Sequence, residues 1–194
     1  MDSRIQIRLD RFKTDITAVP VDFMVRRHMT FGDSYILEED AYFNLKIEVA
    51  DHFKIHPNEV LMVGSGKLGF SIVNTKRYRP FGDTSDIDLA IISPTLFDTI
   101  WHNVYDYSFS GGYWPDEKSF REYLFRGWIR PDKLPPSQRF ALCKDWWDFF
   151  RELTSKGKYG QYKISAGLYR NWHFLETYLG VCINECLLEL EVDR

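Results

Sequence analysis

The sequence is short of most features that mark a secreted, membrane-spanning or metal-stapled protein. It has only three cysteines in 194 residues, Cys143, Cys182 and Cys186, and none has metal-ligand spacing. That excludes a zinc ribbon or a disulfide framework as the organising device, and the odd count points to reduced thiols inside a cell. Cys182 and Cys186 lie four apart on an apolar helical face, so they read as core. No run approaches the roughly 18 apolar residues of a membrane-spanning helix. The opening Met1-Asp-Ser-Arg-Ile-Gln-Ile-Arg lacks the apolar segment of a secretory signal, so the expectation is a cytoplasmic protein with no membrane partner. An excess of one charge is missing too: 25 Lys and Arg against 28 Asp and Glu leave a net charge of −3, which argues against bulk attraction to nucleic acid. Repeats, linkers and low-complexity tracts are absent. With 44% hydrophobic residues, the chain reads as one domain over 1–194 with a sizeable core.

One local absence is more telling. From Gly64 to Pro80 there is no acid, while Lys67, Lys76, Arg77 and Arg79 are cationic, and Asp83, Asp86 and Asp88 follow closely. Val60 to Val63 reads as a short buried strand, broken by Gly64-Ser65-Gly66 before a new segment begins at Lys67. Ser85 to Ile92 reads as a second strand, and the two-residue repeat puts Asp86 and Asp88 on one face. Their Cβ atoms would be roughly 7 Å apart, close enough to ligate one hard cation, with Mg²⁺ and a phosphate the natural guests. A cationic loop suits the remaining phosphate charge. Lys67, which closely follows the glycines, is the first choice for that role, ahead of Lys76, Arg77 and Arg79. The plainer alternative is a solvated basic loop.

Gly64-Ser65 after a strand, followed by Ser85-Asp86-Ile87-Asp88-Leu89, resembles the Gly-Ser…Asp-x-Asp signature of the DNA polymerase β-like nucleotidyltransferase superfamily. The resemblance implies an α+β fold, a mixed β-sheet flanked by helices, here with an aromatic-rich insertion at about 95–136 and a C-terminal helix. It implies Asp86 and Asp88 as catalytic and Mg²⁺-binding residues and the Gly64-Ser65 turn as the triphosphate cradle, with Lys67 added from its position. The implied activity moves a nucleotidyl group from an NTP such as ATP to a hydroxyl on a protein, an RNA or a small molecule. The distance along the chain from Ser65 to Asp86 exceeds that of the most compact members, so the loop's shape does not carry over. Active members also place a third carboxylate on a later strand. The natural place is the strand from Lys163 to Tyr169, yet no Asp or Glu occurs between Leu153 and Leu175. Asp145, Asp148, Asp106 and Asp116 are the substitutes within the chain. The alternative is a catalytically weakened nucleotide-binding or interaction module, of the kind found as partners in stress or defence operons.

Elsewhere, residues 1–30 mix basic and apolar positions, with Asp22 a possible cap for a short helix. Arg26, Arg27 and His28 read most simply as a solvated face, with contact to a phosphate the lesser alternative. Glu38 to Phe53 is helical in period through Ala41, Leu45, Val49 and Phe53, ahead of Pro57. His52 and His56 have helical metal-pair spacing without a third ligand, and so read as structural. Trp101 to Phe150 carries 15 of the 32 aromatics; interleaved with Arg121, Arg126 and Arg130, they form either a base-stacking wall or the core of an irregular insertion. Ser137 is the expected cap of a helix through Thr154, Gln161 to Arg170 an expected strand, and Trp172 to Glu191 a long helix with a stripe at Leu175, Leu179, Cys182, Cys186 and Leu190.

Overall fold

A computed structural model describes residues 3–136, 138 and 140–192. Its centre is a four-stranded mixed sheet of β1 (Val60–Val63), β2 (Ile87–Ile92), β3 (Trp128–Ile129) and β4 (Ile164–Tyr169), ordered β1-β2-β4-β3. β2 runs antiparallel to β1 and parallel to β4, and β3 closes the far edge antiparallel to β4. The fold is thus α+β with a mixed sheet flanked by helices, and no described helix is long and apolar enough to cross a membrane.

The alternation of β2 sorts the molecule into two cores. Ile87, Leu89 and Ile91 face one side, packed with Leu45 and Val49 of α3 (Glu39–Phe53), Phe97 and Val104 of α5 (Pro94–Phe109), Phe120 of α6 (Glu117–Phe125), and Trp146 and Phe150 of α7 (Ala141–Ser155). Ala90 and Ile92 face the other side. There they meet Leu9 and Phe12 of α1 (Ser3–Asp15), Met24 of α2 (Val21–Met24), and Leu175, Leu179 and Ile183 of α8 (Trp172–Val192). Asp88 belongs to this second face by parity, but it stands at the end of β2 that these helices leave open to solvent.

Several expectations need correction. Residues 3–15 form a regular helix whose Ile5, Leu9 and Phe12 are buried at spacings of four and three; the arginines among them hide that stripe in the sequence. Asp22 is not a cap, since Pro20 holds the N-cap position and Asp22 lies in the first turn of α2. The chain continues from α2 into a π-helix, Val25–Thr30, an uncommon element often found at functional positions. The region 95–136 is mainly helical, because Phe97, Ile100 and Val104 recur at helical spacing and are buried. Trp114 and Phe120 are buried, Arg121 bonds Glu117, and Arg130 pairs with Asp132. Part of the aromatic wall is therefore core, while Tyr105, Phe109, Tyr113 and Phe125 are exposed. Ser137 lies outside the described residues, as does the side chain of Leu190. Cys186 is fully buried, with its Sγ donating to the Ile72 carbonyl at 3.2 Å.

Candidate functional site

β1 ends at Val63, opposite Asp88 in the antiparallel register, and the chain turns at once into α4 (Gly64–Leu68). Gly64-Ser65-Gly66 is therefore the first turn of a short helix, not a loop preceding Lys67. Gly64 has φ +64°, and a Cβ placed on it would lie 3.6 Å from Asp88 Oδ2. A glycine here lets the chain reverse beside the carboxylate without strain.

Gly64, Ser65, Asp86 and Asp88 share one cleft of about 350 Å³, with Lys76, Arg79, Thr84 and Ser85 on its wall. Asp86 sits just ahead of β2 and is exposed. Asp88 Oδ1 accepts a hydrogen bond from Ser165 Oγ at 3.1 Å. Although Asp88 meets solvent, it lies in a recess with protein on most sides. Burial there pushes its carboxyl above the usual range, with the nearby Asp86 charge adding to the shift and the Ser165 hydrogen bond and Lys163 opposing it. Two carboxylates close enough to repel, beside a cationic wall, form a hard, oxygen-only site short of positive charge at its centre.

Ser165 is the residue that sequence reasoning passed over. The parallel register sets Ser165 beside Asp88, on the strand where the resemblance leads one to expect a third acid. The acid-free run was visible in the sequence; the register that singles out Ser165 was not. None of the substitute acids reaches the cleft. Asp145 bonds His52 at 3.0 Å, Asp148 pairs with Lys144 and Arg151, and Asp116 pairs with Lys133. Asp106 lines a separate shallow pocket. Among the described residues, no group of three His, Cys, Asp or Glu side chains is placed to hold a metal ion. His52 stacks on Phe149 at 4.0 Å, and His56 uses Nδ1 to accept from the Asn58 backbone.

Lys67 lies elsewhere. Successive helical residues turn by about 100°, so Lys67, two positions after Ser65, projects to nearly the opposite side of α4. Its side chain is enclosed, at 2% exposure, and its ammonium donates to the Gly32 carbonyl. Burial and then the neighbouring Arg8 push its pKa down to about 8. It lines a different cavity, on the α1 side. Arg77 also turns from the cleft, to the Cys186 thiol. Lys76 and Arg79 are the cations of the acid-free stretch that the cleft retains. No family model, no curated protein and no solved structure matches the chain.

Proposed function

We propose that this cleft binds a nucleoside triphosphate through Mg²⁺ held by Asp86 and Asp88, and that the protein acts as a nucleotidyltransferase, moving a nucleotidyl group to a hydroxyl acceptor. The observation that carries the reading is the meeting of both carboxylates with the Gly64-Ser65 turn on one cleft. The donor set fits the ion, since Mg²⁺ is commonly held by one or two carboxylates plus substrate phosphates and water. Asp88, with its carboxyl pushed up by burial and by Asp86, is eased by a cation beside it. Asp86 and Asp88 would hold the metal, which would supply positive charge against the triphosphate. Lys76 and Arg79 on the cleft wall neutralise further phosphate charge, and the Ser65 hydroxyl is on hand to bond it. A cytoplasmic setting, which supplies NTP and Mg²⁺, is part of this proposal.

Ser165 favours a second reading, in which the nucleotide is held with little turnover. In-line transfer through two metals needs charge at both the attacking and the leaving oxygen, and a serine beside Asp88 supplies none. Losing that charge weakens chemistry more than binding. The test uses purified protein, Mg²⁺ or Mn²⁺, labelled NTPs and a panel of hydroxyl acceptors. An active enzyme releases pyrophosphate, and the release is lost in Asp86→Ala/Asp88→Ala. A holding module binds NTP with little release, and Ser165→Asp raises its turnover by about tenfold or more, equivalent to roughly 1.4 kcal/mol of barrier. Absence of NTP binding with either metal rules out both readings.

A further inference from the structure

A second cavity lies apart from the acidic cleft and is larger than it. It measures about 670 Å³ and lies between α1, the π-helix and the enclosed side of α4. Five cations line it (Arg8, Arg11, Arg26, Arg27 and Lys67) against one carboxylate, Asp33. Some of this charge is spoken for: Arg27 Nε lies 3.3 Å from Asp15, and Arg26 pairs with Glu176 and Asp22. Arg8 donates to the Lys67 carbonyl at 3.0 Å. Arg11 has no carboxylate within ion-pair distance among the described residues.

Lys67 is the telling member. A buried ammonium without an ion-pair partner is costly; it has three N–H donors, its hydrogen-bond partner among the described residues is the Gly32 carbonyl, and the nearby Asp33 charge offsets only part of the burial. The wide turn of the π-helix sets Arg26, Arg27 and His28, three consecutive residues, against the same cavity. At the mouth, Phe31 is 80% exposed and Phe23 46%, so two aromatic rings flank a cationic floor. Cations below and rings at the rim match a molecule that is anionic at one end and flat at the other.

We propose that this cavity is a separate, metal-independent binding site for a small aromatic phosphate of the nucleoside monophosphate class. Its phosphate rests against Lys67, Arg8 and Arg11, and its ring against Phe23 or Phe31. The site shares α4 with the acidic cleft but none of the cleft's lining residues, so the two can be emptied independently.

The experiment titrates the four common nucleoside monophosphates, inorganic phosphate and a short single-stranded DNA into Asp86→Ala/Asp88→Ala protein in EDTA, by calorimetry. Removing the cleft's carboxylates and all divalent metal keeps the outcome independent of the cleft reading. The expected result is binding of at least one monophosphate, weaker binding of phosphate, and an affinity loss of about ten- to a hundredfold in Arg11→Glu and in Lys67→Met. Phe31→Ala should weaken the nucleotide but not inorganic phosphate. Arg11→Glu lies on the exposed side of α1 and reports even if Lys67→Met folds poorly. No monophosphate binding at millimolar concentration, binding unchanged by Arg11→Glu, or binding of the DNA alone would each overturn the proposal.

Discussion

The two sides of α4 handle charge in opposite ways. On one side, Asp86 and Asp88 keep like charges close together where solvent still reaches them. On the other, Lys67 is enclosed at the wall of the cavity, and among the described residues no carboxylate is in ion-pair contact with it. Solvent weakens the repulsion in the cleft, and an incoming cation removes it. Within a protein the Lys67 charge is screened far less, and the Gly32 carbonyl and the nearby Asp33 charge only partly offset its burial. The five-residue helix α4 stands between the two, with Ser65 on the side of the acidic cleft and Lys67 on the side of the cationic cavity, and the rotation between residues 65 and 67 separates them.

The change expected to do most harm breaks both sides at once. Gly69, the C-cap of α4, has φ +92°, and a Cβ there would lie 2.8 Å from Tyr35 Cγ. Gly69→Ala should destabilise the fold by about 2–5 kcal/mol, combining left-handed strain with a ring clash. Chemical denaturation measures it, and a loss under about 1 kcal/mol would mean that α4 is less tightly set than described.

Next in size is an effect confined to the cationic side. The folded state lowers the Lys67 pKa from its ordinary 10.5 to about 8, so between those values the unfolded chain binds more protons. Stability should therefore rise as pH climbs from about 8 toward 10.5, by at most about 3 kcal/mol. Below that window the buried charge is a standing penalty. Lys67→Met should remove the rise, and parallel unfolding curves for the two proteins across this range would contradict the account.

The smallest effect belongs to the acidic side. Asp88 has a raised carboxyl pKa in the fold, so the folded state binds more protons than the unfolded one, and ionisation works against folding. Asp88→Asn should raise the melting temperature modestly at neutral pH, and the gain should fade as pH falls through the raised value toward the ordinary 3.8. Mg²⁺ should narrow the gap by stabilising only the native side chain's site. Thermal unfolding with and without Mg²⁺ measures both, and a lower melting temperature for Asp88→Asn at neutral pH would contradict the sign.

What the sequence reveals depends on how local the cause is. Leu45 and Val49, or Trp146, Phe150 and Leu153, repeat at helical spacing and are buried as that spacing requires. The strand carrying Asp88 follows from its two-residue alternation. Those residues answer to their neighbours in the chain. The environment of Lys67 does not: with Gly64-Ser65-Gly66 taken as a loop, Lys67 belongs beside the acids, and only once that stretch is helical does the turn angle carry it away. Ser165 is also set by register between β2 and β4, 77 residues apart along the chain. The π-helix that gathers Arg26, Arg27 and His28 leaves no periodic trace at all, since its packing against α8 arises between distant segments.

The central claim is that Asp86 and Asp88 form a Mg²⁺-dependent nucleotide site, and a calorimetric titration of ATP tests it most directly. The native protein and Asp86→Ala/Asp88→Ala are each titrated with Mg²⁺ and with EDTA. The account predicts a Mg²⁺-dependent binding event in the native protein that is missing from the folded double variant. Equal MgATP affinity in the two proteins would contradict it.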